Sequence, residues 1–320
     1  MIDKIIIDGM AFALPIFIMA IGGIYSERSG ITNLAIEGLQ GMGAFVGALI
    51  AYIMATYMGF GSNTTYWASM IFAMIGGMVY AMLHALLCVN FKANQVISGV
   101  VINLLSSALT VFLTKVINKN FFGAASDEIK LSVSSRITVP VISNIPVIGA
   151  FFTNVYSFEF LIVVVAIIAW FVMYKTRYGL HLRACGDNPH AADAAGLDVG
   201  RIRFVAVMVS GALSGLGGMC FAYSLLAGFS SSIFVGYGFL AIAALIFGNW
   251  TILPTLAACL IFGFARSIGY QLVQAAGLAS AYQDLIMILP YVLTLVLLMF
   301  FSKHNQSPRA LGEVYDKGKR

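Results

Sequence analysis

Apolar stretches long enough to cross a bilayer recur from one end of this 320-residue chain to the other. A hydrocarbon layer about 30 Å thick takes about 20 residues of helix, and no backbone amide within it can turn to water. Segments 5–24, 33–57, 66–91, 94–114, 158–174, 204–226, 233–248, 252–272 and 284–301 fit that demand. Turn-forming runs part them, among them Ser26–Gly30, Gly59–Asn63, Lys92–Asn94 and Asn249–Trp250. Charged residues make up 10% of the chain, far below the soluble norm. The expected fold is therefore all-α, a polytopic transmembrane helical bundle of about 8–9 spans. Segment 233–248 is short for a span, and a half-helix is the alternative there.

Lysine and arginine set the sidedness. Arg28, Lys92, the five basic residues of 175–203 and the five of the tail give twelve on one side, against Lys4, Lys115, Lys119, Lys130 and Arg136 on the other. The twelve are assigned to the cytoplasm. Residues 1–301 then form a transmembrane domain with a cytoplasmic loop at 175–203 and an external loop at 115–157. Residues 302–320 are a polar, mobile cytoplasmic tail. Nine spans place the N-terminus outside; eight remain the alternative. Asp3, Lys4 and Asp8 make a poor leader sequence, so the first apolar run reads as a retained span of a cell-membrane protein. The net charge of +5 sits in loops and tail, where topology accounts for it, so nucleic acid is not an expected partner. Cys88, Cys185, Cys220 and Cys259 form no CxxC pair, and neither a disulfide framework nor a metal site is expected.

The 29-residue polar stretch Lys175–Arg203 holds a short capped helix, Asn188, Pro189, His190, Ala191, Ala192, Asp193, Ala194, Ala195 and Gly196. Asn188 suits the N-cap, Pro189 the first helical position and Gly196 the left-handed end. The alanines leave little bulk, so the helix can enter a narrow groove of a partner. An ordinary cytoplasmic hairpin is the plainer reading.

Here a resemblance becomes specific. Tyr178-Gly179-Leu180, Gly186-Asp187-Asn188-Pro189, Ala195-Gly196-Leu197 and Ser210-Gly211-Ala212-Leu213-Ser214-Gly215-Leu216-Gly217-Gly218 resemble the permeases of ABC importers for branched-chain amino acids, simple sugars and nucleosides. The stretches Glu27–Gly38 and Gly238–Trp250 are most like the nucleoside branch. The resemblance implies that Asn188–Gly196 is the coupling helix, docked in a cleft of a cytoplasmic ATPase subunit. It further implies a second, related permease in a heterodimer, an extracellular substrate-binding lipoprotein and a small-molecule solute. The chain carries no Gly-x-x-x-x-Gly-Lys-Ser/Thr, so ATP and Mg would belong to the separate ATPase and no cofactor to this chain. Transport, not catalysis, is the expected role.

Within the membrane, Gln95, Gly99, Asn103, Ser106 and Thr110 recur at spacings of 4, 4, 3 and 4, one polar or small helix face. Such a face makes helix contacts or lines a path for a hydroxyl-rich, uncharged solute. Glu37 is read near the first turn of a helix capped by Asn33, with anchoring and a gating or substrate role both open. Arg266 falls in the outer third of its span, with Asp284 as its candidate partner. His84 reads as a packed, hydrogen-bonded histidine. The alternatives are a sugar or branched-chain amino acid permease and, from another class, an ion-coupled secondary transporter. The latter usually shows intramembrane acids and paired broken helices, whereas Glu37 is the only acid read within a span interior. Val235-Gly236-Tyr237-Gly238 echoes a potassium filter, but Phe234 stands where its threonine belongs.

Overall fold

The computed structural model describes residues 2–123, 125–131, 135–140, 143, 148–230, 236–277, 282, 285–286, 288–301 and 306–318. Helices run α1 Ile2–Arg28, α2 Ile36–Thr56, α3 Ser62–Ala85 and α4 Gln95–Phe122. They continue α5 Ser157–Lys175, α6 Arg177–Asp187, α7 Pro189–Ala194, α8 Val199–Phe221, α9 Tyr237–Phe247, α10 Ile252–Ala275 and α11 Leu289–Phe301. Helices α3 and α8 each run on into a five-residue π turn, which brings α8 to Leu226.

Seven of these helices, with their π turns, are long and apolar enough to cross a membrane. That is fewer than the eight or nine expected. Helix α9 has 11 residues and is about 16 Å long, half of a bilayer core. It begins only at Tyr237 because Gly236 turns the backbone to φ +97°, a left-handed value that glycine takes without strain. Helix α11 has 13 residues, and Asp284 and Met287 of the ninth segment lie outside the described residues.

The chain also carries two short antiparallel pairs, which the all-α expectation lacked. Strand β1 (Glu128–Lys130) pairs with β4 (Gly228–Ser230), and β2 (Arg136–Ile137) with β3 (Val155–Tyr156). They satisfy backbone groups where the long loop folds over one end of the bundle. This is the hairpin end; the loop 176–198 marks the opposite, basic end. Strand β4 belongs to the first and Trp250 to the second, where the Trp250 carbonyl accepts from Arg28 Nε at 2.9 Å. The chain therefore passes from one end to the other between Ser230 and Trp250, and α9 occupies Tyr237–Phe247 of that stretch.

The core is the packing of α1, α2, α3 and α8. Lipid offers helices no hydrophobic drive to associate, so close backbone approach has to supply the contact. A Cβ on Gly43 would collide with Gly215, one on Gly77 with the Gly211 carbonyl, and one on Gly218 with the Gln40 carbonyl. By contrast α4 and α5 turn apolar side chains outward, Leu104 at 67% and Ile167 at 61% exposed, as lipid-facing helices do.

The connection from α1 to α2 climbs back into the bundle. Asn33 Nδ2 donates to Ser210 Oγ, midway along α8, at 2.8 Å. The Asn33 side chain was expected to cap α2, but it accepts from Ala35 N at 3.1 Å instead, and the residue at the cap position is Ala35. Helix α2 accordingly starts inside the protein.

Candidate functional site: the knob and the helix junction

The knob at the basic end is built by local rules. Thr176 Oγ1 accepts from Gly179 N to open α6. Asn188 Oδ1 accepts from Ala191 N at 3.0 Å, Pro189 stands at the first helical position, and Gly196 at φ +85° ends α7. Ala192 is 5% exposed against Cys185 and Val199, whereas His190, Ala191, Ala194 and Ala195 face out. Asp193 is half-buried. The outer face of α7 is therefore small-sided and smooth, and a bulky residue at position 192 would press on the knob's own core. Burial there pushes the Cys185 thiol up to about 11, so it stays protonated and unreactive.

The tail, read as mobile, instead lies across this knob. Ala310 N donates to the Gly186 carbonyl at 2.9 Å and Gly312 N to the Gly30 carbonyl at 3.1 Å. Lys92 pairs with Asp316 at 2.7 Å and Lys317 with Asp193 at 3.3 Å, and the Tyr315 ring sits 5.3 Å from His190. Exposed pairs of this kind contribute about 0–1 kcal/mol each, so the backbone bonds and the buried Ala310 do most of the fixing. Arg203, the last residue of the polar stretch, is 2% exposed. Its Nε donates to the Ser29 carbonyl and its Nη1 to the Glu313 carbonyl, both at 3.0 Å. One guanidinium thus ties α8, the α1–α2 connection and the tail together.

The second region is a junction of helix starts inside the bundle. Glu37 Oε1 accepts from Gly236 N at 2.5 Å and Oε2 from Gly238 N at 2.6 Å. Those are the orphan amides of α9, where a helix dipole also favours an acid. Gly238 is required because a Cβ would meet Glu37 itself. The α4 face meets the start of α2. Gln95 Oε1 accepts from Thr32 N at 2.7 Å, Gly99 packs on Leu34, Asn103 Oδ1 accepts from Gly38 N at 2.7 Å and Asn103 Nδ2 donates to the Leu34 carbonyl at 2.8 Å. Ser106 Oγ donates to the Gly38 carbonyl at 2.7 Å, while Thr110 Oγ1 bonds the Ser106 carbonyl of its own helix. His84 is wholly buried, with Nδ1 at 2.8 Å from Ser98 Oγ.

Sequence reasoning missed two buried acids. Glu27 is 3% exposed and accepts from Trp250 Nε1 at 2.5 Å; Glu159 is 6% exposed. The signal for the first pair was weak, since its members are far apart in sequence and an acid beside Arg28 reads as part of a surface turn. Arg266 lies 4.3 Å over the Phe12 ring, and its expected partner Asp284 lies outside the described residues.

Seven helices long and apolar enough to cross a membrane define a multi-pass helical membrane protein. The chain matches the branched-chain amino acid transport system permease component over residues 5–298, and it belongs to that family. Among relatives, it is 36% identical to the guanosine ABC transporter permease protein NupQ of Bacillus subtilis, over 97% of this chain and 96% of that protein. It is 37% identical to the nucleoside ABC transporter permease protein NupC of Lactococcus lactis, over 98% of this chain and 97% of that one. A second guanosine ABC transporter permease protein of B. subtilis, NupP, is 25% identical over 78% of this chain and 69% of its own length.

Proposed function

We propose that this chain is the membrane permease of an ATP-driven importer for nucleosides, one of two unlike permease subunits around the pathway. The observation that carries the solute class is the likeness, over nearly the whole chain, to two permeases named for guanosine and nucleosides. The unequal likeness to NupQ and NupP, two permease proteins named for one solute in one organism, supports a heterodimer. In this reading the basic end and the tail face the cytoplasm, and residues 188–196 are the coupling helix. A separate ATPase that holds ATP and Mg grips the small outer face of α7. A substrate-binding lipoprotein docks at the hairpin end, on the connection 123–156; residues 115–122, expected in that loop, extend α4 instead.

The α4 residues Gln95, Gly99, Asn103, Ser106 and Thr110 are assigned to the joint with α2 rather than to the lining, because their polar groups are taken up by protein partners. Glu37 is assigned the same structural part for α9. Pathway walls are sought instead on the faces of α9, α10 and the hairpin end.

The test is uptake of labelled guanosine into vesicles holding both permeases and the ATPase, with the binding protein outside. ATP-dependent accumulation is expected. Accumulation without nucleotide, or none of any nucleoside, overturns the reading.

A further inference from the structure

At the hairpin end a cavity of about 380 Å³ opens between α1, α10, the β2–β3 pair and the turn after α8. That is the scale of a small-molecule site, well above the roughly 30 Å³ share of one water. Its walls include Asp8, Phe12, Tyr156, Ser224, Arg266 and Tyr270. A largely polar wall beside lipid-facing helices is expensive unless something polar occupies it.

Arg136 lies 4.3 Å over the Tyr156 ring and also donates to its hydroxyl, and Arg266 lies 4.3 Å over Phe12. Ring contact uses none of a guanidinium's N–H groups, so the wall offers donors beside carboxylate and hydroxyl acceptors. Ser224 Oγ is buried with no hydrogen-bond partner among the described residues. Asp8 gives Oδ2 to Gln271 Nε2 at 3.2 Å, and its Oδ1 has no partner among the described residues. Tyr270 is 41% exposed, so its ring is open to stacking. Below the cavity, Arg266 reaches Tyr237, the first residue of the half-helix that Glu37 anchors.

We propose that this cavity is the first solute position on the chain, and that it takes a neutral nucleoside. Its flat base stacks on Tyr270, and its hydroxyls donate to Asp8 at the wall. The assignment rests on the nucleoside reading above and deepens it by naming where the solute lands.

Substituted cysteines test it in nucleotide-free vesicles of the permease–ATPase assembly. The native thiols of Cys88, Cys185, Cys220 and Cys259 are all buried, so background labelling is low. Asp8→Cys and Tyr270→Cys, both at exposed positions of the wall, should react with a membrane-impermeant methanethiosulfonate. Guanosine at ten times its half-saturating level should slow each reaction about tenfold, following site occupancy. Phe60→Cys, exposed at the same end but outside the cavity, should react equally with and without guanosine. Protection by leucine and not guanosine overturns the solute class. Unreactive thiols, no protection, or equal protection at position 60 overturns the site. Guanosine uptake measured on the same vesicles, with the ATPase energised, separates the two failures: uptake without protection sinks the cavity and leaves the importer standing.

Discussion

The helix junction and the knob are both knots of hydrogen bonds, yet they are tied in different ways. At the junction, side-chain acceptors of Glu37 and Asn103 take backbone amides at the starts of α9 and α2, inside the bundle. These groups are half-buried or buried, so water replaces such bonds less readily than at the surface. At the knob, α7 is capped by its own neighbours and then strapped by the tail through bonds that water could partly replace. One region is held by interior bonds, the other by accumulation. That contrast suits a lever on a rigid core.

The most severe break expected is in the backbone packing behind the junction. Gly215→Val drives a side chain into the Ala73 carbonyl and Gly43, and overpacking against backbone costs about 3 kcal/mol or more. Detergent-solubilised protein should lose its cooperative thermal transition; a wild-type melting curve would refute the close approach of α2, α3 and α8.

Next comes Glu37→Ala, which orphans the Gly236 and Gly238 amides at about 1–3 kcal/mol each. The yield of folded protein should fall sharply, with Glu37→Gln intermediate because it keeps one acceptor. Equal yields for all three would remove Glu37 from the role of anchor.

The knob should separate function from folding. Ala194→Trp on the open face of α7 should lower uptake by about tenfold or more, corresponding to about 1.4 kcal/mol, with folding unchanged. Ala192→Trp should lower thermal stability instead, since that side chain is 5% exposed. Normal uptake by the folded position-194 variant would dismiss α7 as the coupling helix.

The smallest effect is expected from Lys92→Ala, which removes one exposed ion pair worth about 0–1 kcal/mol. Deleting residues 306–318 should cost more than that substitution, as measured by protease sensitivity of the loop 176–198. If the two are equal, the tail is no strap.

How far the sequence reached differs from element to element. Helix α7 was legible to the residue, because Asn188, Pro189 and Gly196 act within one turn of their own positions. The α4 face was legible as a face: Gln95, Gly99, Ser106 and Thr110 are all buried. What it faces was not, since Thr32, Leu34 and Gly38 lie more than sixty positions away from their partners. The half-length of α9 was open as an alternative, because 233–248 is short for a span, but hydropathy does not say where the helix starts. The tail misled for a related reason. Its charges read as solvated, while its fixing comes from backbone bonds to Gly30 and Gly186, which leave no side-chain signal.

Alone, then, the order of residues fixed a membrane-spanning helical chain with a capped alanine knob, because hydropathy, periodicity and capping act over a few residues and lipid forbids other backbone states. Only the folded arrangement decided which polar face meets which helix start, where α9 starts and where the tail lies. Those outcomes depend on pairing groups far apart in sequence, and such pairing exists only after the helices have packed.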